Sequence, residues 1–231
     1  MTPVNPPTSR ADAHAKARFD PHPEKKLSIR LLKAADLLFC RAYHRLTVYS
    51  PPRLPARGPA ILICNHTSGL DPVLIQSVCK RVIVWMMAKE YYEIRPLRPF
   101  FEVVEAIPVD RTARDTSAMR SALRALQDGR ILGIFPEGRI STVKGQLLPF
   151  QSGVAQMAIK TGAAVYPAFL NGTQYGVSDM AAAFVHRQEA TLRFGPPVEF
   201  DRSSTSRPVL DAATAKMQTA IESLRGIPPF L

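Results

Sequence analysis

The 231-residue sequence predicts an α/β protein: a mixed, mainly parallel sheet flanked by helices, with an N-terminal amphipathic helical segment. Three observations carry this reading. From residue 60 onward, short apolar runs bounded by Pro and Gly alternate with segments of helical spacing. Hydrophobic residues make up 46% of the chain, enough for one packed domain. No uncharged apolar run reaches the roughly 18–20 residues that a bilayer crossing needs.

Residues 1–26 hold Pro3, Pro6, Pro7, Pro21 and Pro23 among many charges, and read as a disordered basic tail. Residues 27–50 read as an amphipathic helix. Leu31, Ala35, Leu38, Ala42 and Leu46 share one face, while Arg30, Lys33, Arg41 and His44 fall mainly on another, interrupted by Leu37. A basic helix with a broad apolar face suits a membrane interface. The same helix is equally able to pack on its own domain and keep a solvated basic side. Residues 50–59 carry four prolines and connect it to a single domain over 51–231.

In that domain, the run 60–64 is a buried strand, and 71–79 is a helix with Asp71 at N-cap and Pro72 at its first position. Strands follow at 82–87 and at 103–109, the latter interrupted by Glu105 and Pro108. Residues 117–127 form a helix ended by Gly129, and 131–135 a strand. A helix over 152–161 stops at Gly162. Strands at 164–170 and 191–194 and a helix over 209–224 complete the chain.

The net charge of +11 points to an anionic partner: nucleic acid, an anionic membrane surface or a phosphorylated substrate. Residues 1–57 hold eleven Lys/Arg against four Asp/Glu, so +7 of that charge lies in the first quarter. The three cysteines, Cys40, Cys64 and Cys79, lack metal-like spacing and read as reduced thiols of a cytoplasmic protein. No secretory signal is visible in the polar, Pro-rich start.

Two segments carry candidate chemistry, each directly after a strand. In Asn65-His66-Thr67-Ser68-Gly69-Leu70-Asp71, Gly69 lets the chain fold back so that the Asp71 carboxylate reaches the imidazole of His66. Such a contact fixes the tautomer and stabilises the imidazolium, leaving the other nitrogen to deprotonate an alcohol. Asp71 is also a plain helix cap, and a lone loop His is more often structural. In Phe135-Pro136-Glu137-Gly138-Arg139, a tight turn presents Glu137 and Arg139 as a charged pair. Its amides can receive a phosphate or an oxyanion, and Arg139 and Lys144 can add positive charge. The bland alternative is a loop held by a Glu–Arg pair.

Together these residues resemble the glycerophospholipid acyltransferase family, the lysophosphatidic acid acyltransferases and their relatives. Asn65, His66 and Asp71 match its first motif. Ala106-Ile107-Pro108-Val109-Asp110-Arg111 is similar to its second, Phe135 to Gly138 to its third, and Val165-Tyr166-Pro167-Ala168 to its fourth. All four stand in the family's order. The resemblance implies an O-acyltransferase catalytic domain over 51–231, with His66 as general base and Asp71 as its orienting partner. Asn65, Arg111, Glu137, Gly138 and Arg139 would shape the site for a glycerol phosphate head, and Pro167 the acyl pocket. It implies a lysophospholipid acceptor, acyl-CoA or acyl carrier protein as co-substrate, no metal and no other cofactor. Arg139 then Ile140 departs from the Thr-Arg that commonly follows the third motif, which is similar to a branch acting on lysophosphatidylethanolamine. A lyso-ornithine lipid is a further alternative acceptor. Peripheral binding at the cytoplasmic face of the inner membrane is expected.

Two rivals of another class are a catalytically dead membrane module and a basic nucleic-acid-binding protein. The sequence offers no recognition module for nucleic acid, and none is expected as a partner. Cys64, two residues from His66, is an alternative nucleophile, with a packed core thiol as the bland reading.

Overall fold

The computed structural model describes residues 18–112, 115–143, 146–174 and 180–225. Residues 1–17 of the expected tail and Lys144 lie outside the described residues.

Helix α1 (Leu27–Leu38) is followed by β1 (Thr47–Val48), β2 (Ala60–Cys64), α2 (Asp71–Val78) and β3 (Ile83–Ala88). Two short helices, α3 (Lys89–Tyr92) and α4 (Arg98–Val103), lead to β4 (Ile107–Val109). Then come α5 (Thr116–Gln127), β5 (Ile131–Ile134), α6 (Gly153–Thr161), β6 (Ala164–Asn171), α7 (Met180–Val185), β7 (Thr191–Phe194) and α8 (Arg207–Arg225). The strands form one seven-stranded sheet in the order β1-β7-β6-β2-β5-β3-β4. Every neighbouring pair is parallel except β6–β7. The mixed, mainly parallel α/β fold expected from the sequence is the fold observed.

Both faces of the sheet are covered, which is why its central strands are apolar throughout rather than alternating. All five residues of β2 are buried. Ile61 and Ile63 point into one layer with Ala122 and Leu126 of α5, Ala155 of α6 and Met217 and Ile221 of α8. Leu62 and Cys64 point into the other, with Leu74 and Ile75 of α2 and with Cys40, Trp85 and Phe135. Asp115 caps α5, its carboxylate accepting from Ser117 N at 3.0 Å and Ala118 N at 2.9 Å. Gly129 (φ 76°) and Gly162 (φ 70°) take the left-handed conformation just beyond α5 and α6. Because β2, β5, β3 and β4 run parallel, the loops after them leave one common edge, where reactive groups of such sheets collect.

The N-terminal segment differs from its sequence reading. Phe19 is 5% exposed in the main core, and Arg130 donates to Asp20 O at 2.6 Å, so residues 18–26 dock on the domain. The helix does not run to residue 50. After Leu38 the backbone makes one π turn, Phe39–Tyr43, and Thr47–Val48 then joins the sheet beside Thr191–Leu192. Leu46 is therefore buried, and His44 is buried between the rings of Phe39 and Tyr43 rather than on a polar face.

The expected strand over 103–109 shrinks to Ile107–Val109, because Val103 ends α4 and Glu105 sits at φ 57°. Glu105 holds that left-handed conformation because its carboxylate is tied to the Arg130 guanidinium and to Asp20 N.

Asp36 of α1 lies beside Cys40, whose thiol donates to Oδ1 at 3.3 Å. Burial pushes the Asp36 carboxyl up to about 6. A carboxyl that holds its proton more tightly folded than unfolded stabilises the fold fully below its ordinary value of 3.8, and that contribution is lost as pH rises through about 6. Asp36→Asn is therefore expected to raise the thermal midpoint at about pH 7.5 more than at about pH 4. Scanning calorimetry across that range checks this; a rise of equal size at both ends, or a fall at the higher pH, would count against it.

Candidate active site

The loop after β2 is fixed by its neighbours before any side chain acts. His66 N donates to Glu137 Oε1 at 2.9 Å, and Ser141 N donates to His66 O at 2.8 Å. Glu137 Oε2 accepts from Leu148 N at 2.9 Å. The buried Glu137 carboxylate thus ties the loop after β2 to the loop after β5. Burial pushes this carboxyl above its ordinary value, while the two backbone N–H groups and His66 pull it down.

Asp71 is the first residue of α2, with Leu70 at N-cap, so the expected N-cap is displaced by one. Its carboxylate turns back onto the preceding loop instead of onto the helix. Oδ2 accepts from His66 Nδ1 at 3.0 Å, Thr67 N at 2.7 Å and Ser68 N at 2.9 Å. These bonds produce the fold-back; Gly69 is not among the left-handed glycines. Asp71 is fully buried, whereas the His66 side chain keeps 17% of its surface exposed. A carboxylate only accepts, so Nδ1 carries a proton, and in the neutral ring the lone pair is on Nε2. The ring of His66 lies flat on Phe135, with centroids 3.9 Å apart and planes 11° apart. A placed imidazole, with one nitrogen held by a carboxylate and the other not held by it, has the geometry that a general base needs.

The other residues singled out from the sequence fare differently. Asn65 makes two bonds across to β6: Nδ2 donates to Leu170 O and Oδ1 accepts from Leu170 N, both at 2.8 Å. Its amide is spent on backbone, so it positions His66 by pinning the end of β2 to β6. Glu137 is spent likewise and forms no pair with Arg139, which is exposed. The amide of Gly138 donates to Phe135 O at 3.0 Å, closing the turn rather than offering itself to a ligand. At φ 71°, with Gln151 Nε2 only 2.6 Å from where a Cβ would stand, position 138 demands glycine. Arg111 leaves the end of β4 at the same sheet edge and pairs with Glu90 of α3 at 3.1 Å, both groups well exposed.

Pro167 stands opposite Ile63 on β6 and lines a cleft of about 470 Å³ with Gly195 and Leu224 of α8. Its neighbour Ala168 is the residue that shares a layer with Cys64. Cys64 is fully buried, and burial, then the nearby Asp71 charge, pushes its thiol well above its ordinary value. It is a core thiol and not a nucleophile. Glu90 and Trp85 carry no motif, and only the assembled fold brings them beside Arg111 and Phe135.

A protein-family profile described as Acyltransferase matches residues 45–171, more than half of the chain. The chain belongs to the acyltransferase family. The matched part of this acyltransferase contains His66, Asp71, Arg111 and Glu137. The chain is 28% identical over 130 residues to the 1-acyl-sn-glycerol-3-phosphate acyltransferase of Bacillus subtilis, covering 56% of this chain and 64% of that one. It is 32% identical over 145 residues to the protein of the same name from Cocos nucifera, covering 62% and 46%. The chain spans about half to two-thirds of the length of the curated relatives it matches. Its fold is similar to the crystal structure of the 1-acyl-sn-glycerophosphate acyltransferase PlsC from Thermotoga maritima. The TM-score is 0.64 at 19% identity, over 94% of this chain and 89% of that one.

Glu137→Gln leaves one oxygen for two backbone donors, so His66 N or Leu148 N goes unpaired. It is expected to destabilise the acyltransferase by about 1–3 kcal/mol. It should also lower turnover by about tenfold as the His66 loop shifts. Denaturant titration with turnover measured in parallel checks both, and an unchanged stability would remove the clamp.

Proposed function

We propose that this acyltransferase moves a fatty acyl group from acyl-CoA or acyl carrier protein to the free hydroxyl of a lysophospholipid, 1-acyl-glycerol-3-phosphate, in phospholipid biosynthesis. The observation that carries the reading is the His66–Asp71 pair at the sheet edge, with Nε2 unengaged by Asp71. The family and the names of its relatives agree with it.

The chemistry follows from that geometry. Nε2 of His66 takes the proton of the acceptor hydroxyl as its oxygen attacks the thioester carbonyl. The C–O bond forms, the carbonyl passes through a tetrahedral oxyanion, and the C–S bond breaks. The imidazolium returns the proton to the departing thiolate, leaving a new ester and a free thiol. The Asp71 charge stabilises the imidazolium between the two transfers. Arg111 and Arg139, exposed at the same edge, are the cations available to an acceptor phosphate.

Thiol release measured with a panel of acceptors (lysophosphatidic acid, lysophosphatidylethanolamine and a lyso-ornithine lipid), each with acyl-CoA and with acyl carrier protein, tests the reading. Release that depends on lysophosphatidic acid is expected. Release with none of the acceptors would reject it, and preference for another acceptor would reassign the head group.

No helix among the described residues is long and apolar enough to cross a membrane. We infer peripheral attachment at the cytoplasmic face of the inner membrane through α1. Leu27, Leu31 and Leu38 of α1 are 68%, 63% and 69% exposed, with Arg30 and Arg41 exposed beside them. Combined Leu→Ser replacement at these three positions removes no buried contact and is expected to lower binding to anionic vesicles about tenfold or more. Vesicle sedimentation checks this, and undiminished binding would exclude α1 as the contact.

A further inference from the structure

We propose that Trp85, seated over Gly133, is a positioning residue for His66 that acts through Phe135. The inference rests on the reading of His66 as the base. Its ground is a series of three near-parallel rings. His66 stacks on Phe135 with centroids 3.9 Å apart and an 11° tilt, and Phe135 stacks on Trp85 at 5.1 Å and 12°.

Trp85 is buried on β3, one strand in from the β4 end of the sheet and directly opposite Gly133 of the parallel strand β5. A Cβ at position 133 would stand 2.5 Å from Cε3 and 2.6 Å from Cζ3 of the indole, so the ring occupies the space of the side chain that Gly133 lacks. Ile131 and Phe135 belong to the same layer, and the indole meets Phe135 two residues further along the chain. The indole N–H is buried and meets no acceptor among the described residues. What the site uses is therefore the plane of the ring and not its donor.

The consequence falls on the base. Asp71 holds Nδ1, and this single contact leaves the imidazole free to tilt about it. The flat contact with Phe135 removes that freedom and sets the direction of Nε2. Phe135 holds its own plane only while Trp85 supports it. The aromatic face also suits the imidazolium that forms during proton transfer. A base displaced by even about 1 Å loses turnover without losing substrate affinity, because only the reacting geometry is affected.

Trp85→Met fills the space without a plane, and Trp85→Phe restores a plane without the N–H. Turnover with 1-oleoyl-glycerol-3-phosphate and palmitoyl-CoA should fall about tenfold in Trp85→Met, with KM for both within about twofold. The His66 Cε1–H resonance should move as the ring current of Phe135 changes. Trp85→Phe should recover turnover to within about threefold of the starting chain. A folded Trp85→Met chain with unaltered turnover and an unmoved His66 resonance overturns the proposal, as does a Phe chain as impaired as the Met chain. Should the Met chain not fold, the Phe chain decides alone: recovery supports the proposal, and a loss of tenfold or more overturns it. His66→Ala, run alongside, separates the two readings. If it retains turnover, the base assignment fails whatever Trp85 does; if it is inactive while Trp85→Met is unaltered, only the stack fails.

Discussion

Replacing His66 by Ala is expected to slow acyl transfer by about 10³–10⁴-fold while leaving the fold and lipid binding intact. The size follows from the acceptor. An aliphatic hydroxyl attacks a carbonyl poorly unless its proton leaves with it, and in the proposed function Nε2 receives that proton. The fold should survive because the loop around residue 66 is held through its backbone. His66 N to Glu137 Oε1 and Ser141 N to His66 O are both bonds that Ala also makes. The ring itself is partly exposed, so its loss opens the site rather than a sealed cavity. Thiol release gives the rate, and sedimentation with vesicles gives the binding. Turnover within about tenfold of the starting chain would mean that another group takes the proton.

Asp71→Asn is expected to cost about 10²–10³ in turnover with little change in KM. Three N–H donors, from His66, Thr67 and Ser68, converge on one carboxylate oxygen. The Asn carbonyl oxygen takes that position, since its amide nitrogen would meet donors there. The loop and the tautomer of His66 are thus preserved, and what disappears is the negative charge that stabilises the imidazolium. The other oxygen, Oδ1, is buried without a protein partner among the described residues, so the amide nitrogen falls there and gains no bond. A modest loss of stability accompanies the kinetic effect. Equal turnover in the Asn chain would show that Asp71 serves only to shape the loop.

Much of this was legible before any coordinates, and the rest was not for identifiable reasons. The buried strands over 60–64 and 191–194 are read from sequence with the bounds the structure gives them, because continuous apolar runs between turn residues have few other fates. Strand β1 is two residues long, too short for any pattern, and its place beside β7 depends on residues some 144 positions away, as the Thr47–Thr191 pairing shows. Glu105 broke the expected strand over 103–109 through its tie to Arg130, a contact invisible to local spacing.

At the site, the residue types were readable and their partners were not. Glu137 and Asn65 look like substrate ligands in a sequence, yet both are consumed by backbone groups of neighbouring strands and loops. Pro167 lies in the fourth motif but belongs to the cleft under α8. The bond between His66 and Asp71 is the one contact that spacing anticipated, since a carboxylate that close in sequence has only a short loop to turn back across.

The most direct test of base and carboxylate acting as one unit is a single-turnover comparison of His66→Ala, Asp71→Asn and the two combined. If Asp71 works only through His66, removing it from a chain that already lacks the imidazole changes nothing, and the double variant should match His66→Ala within about threefold. If the two losses multiply instead, Asp71 contributes to the reaction independently of His66, and the pair is not the catalytic unit.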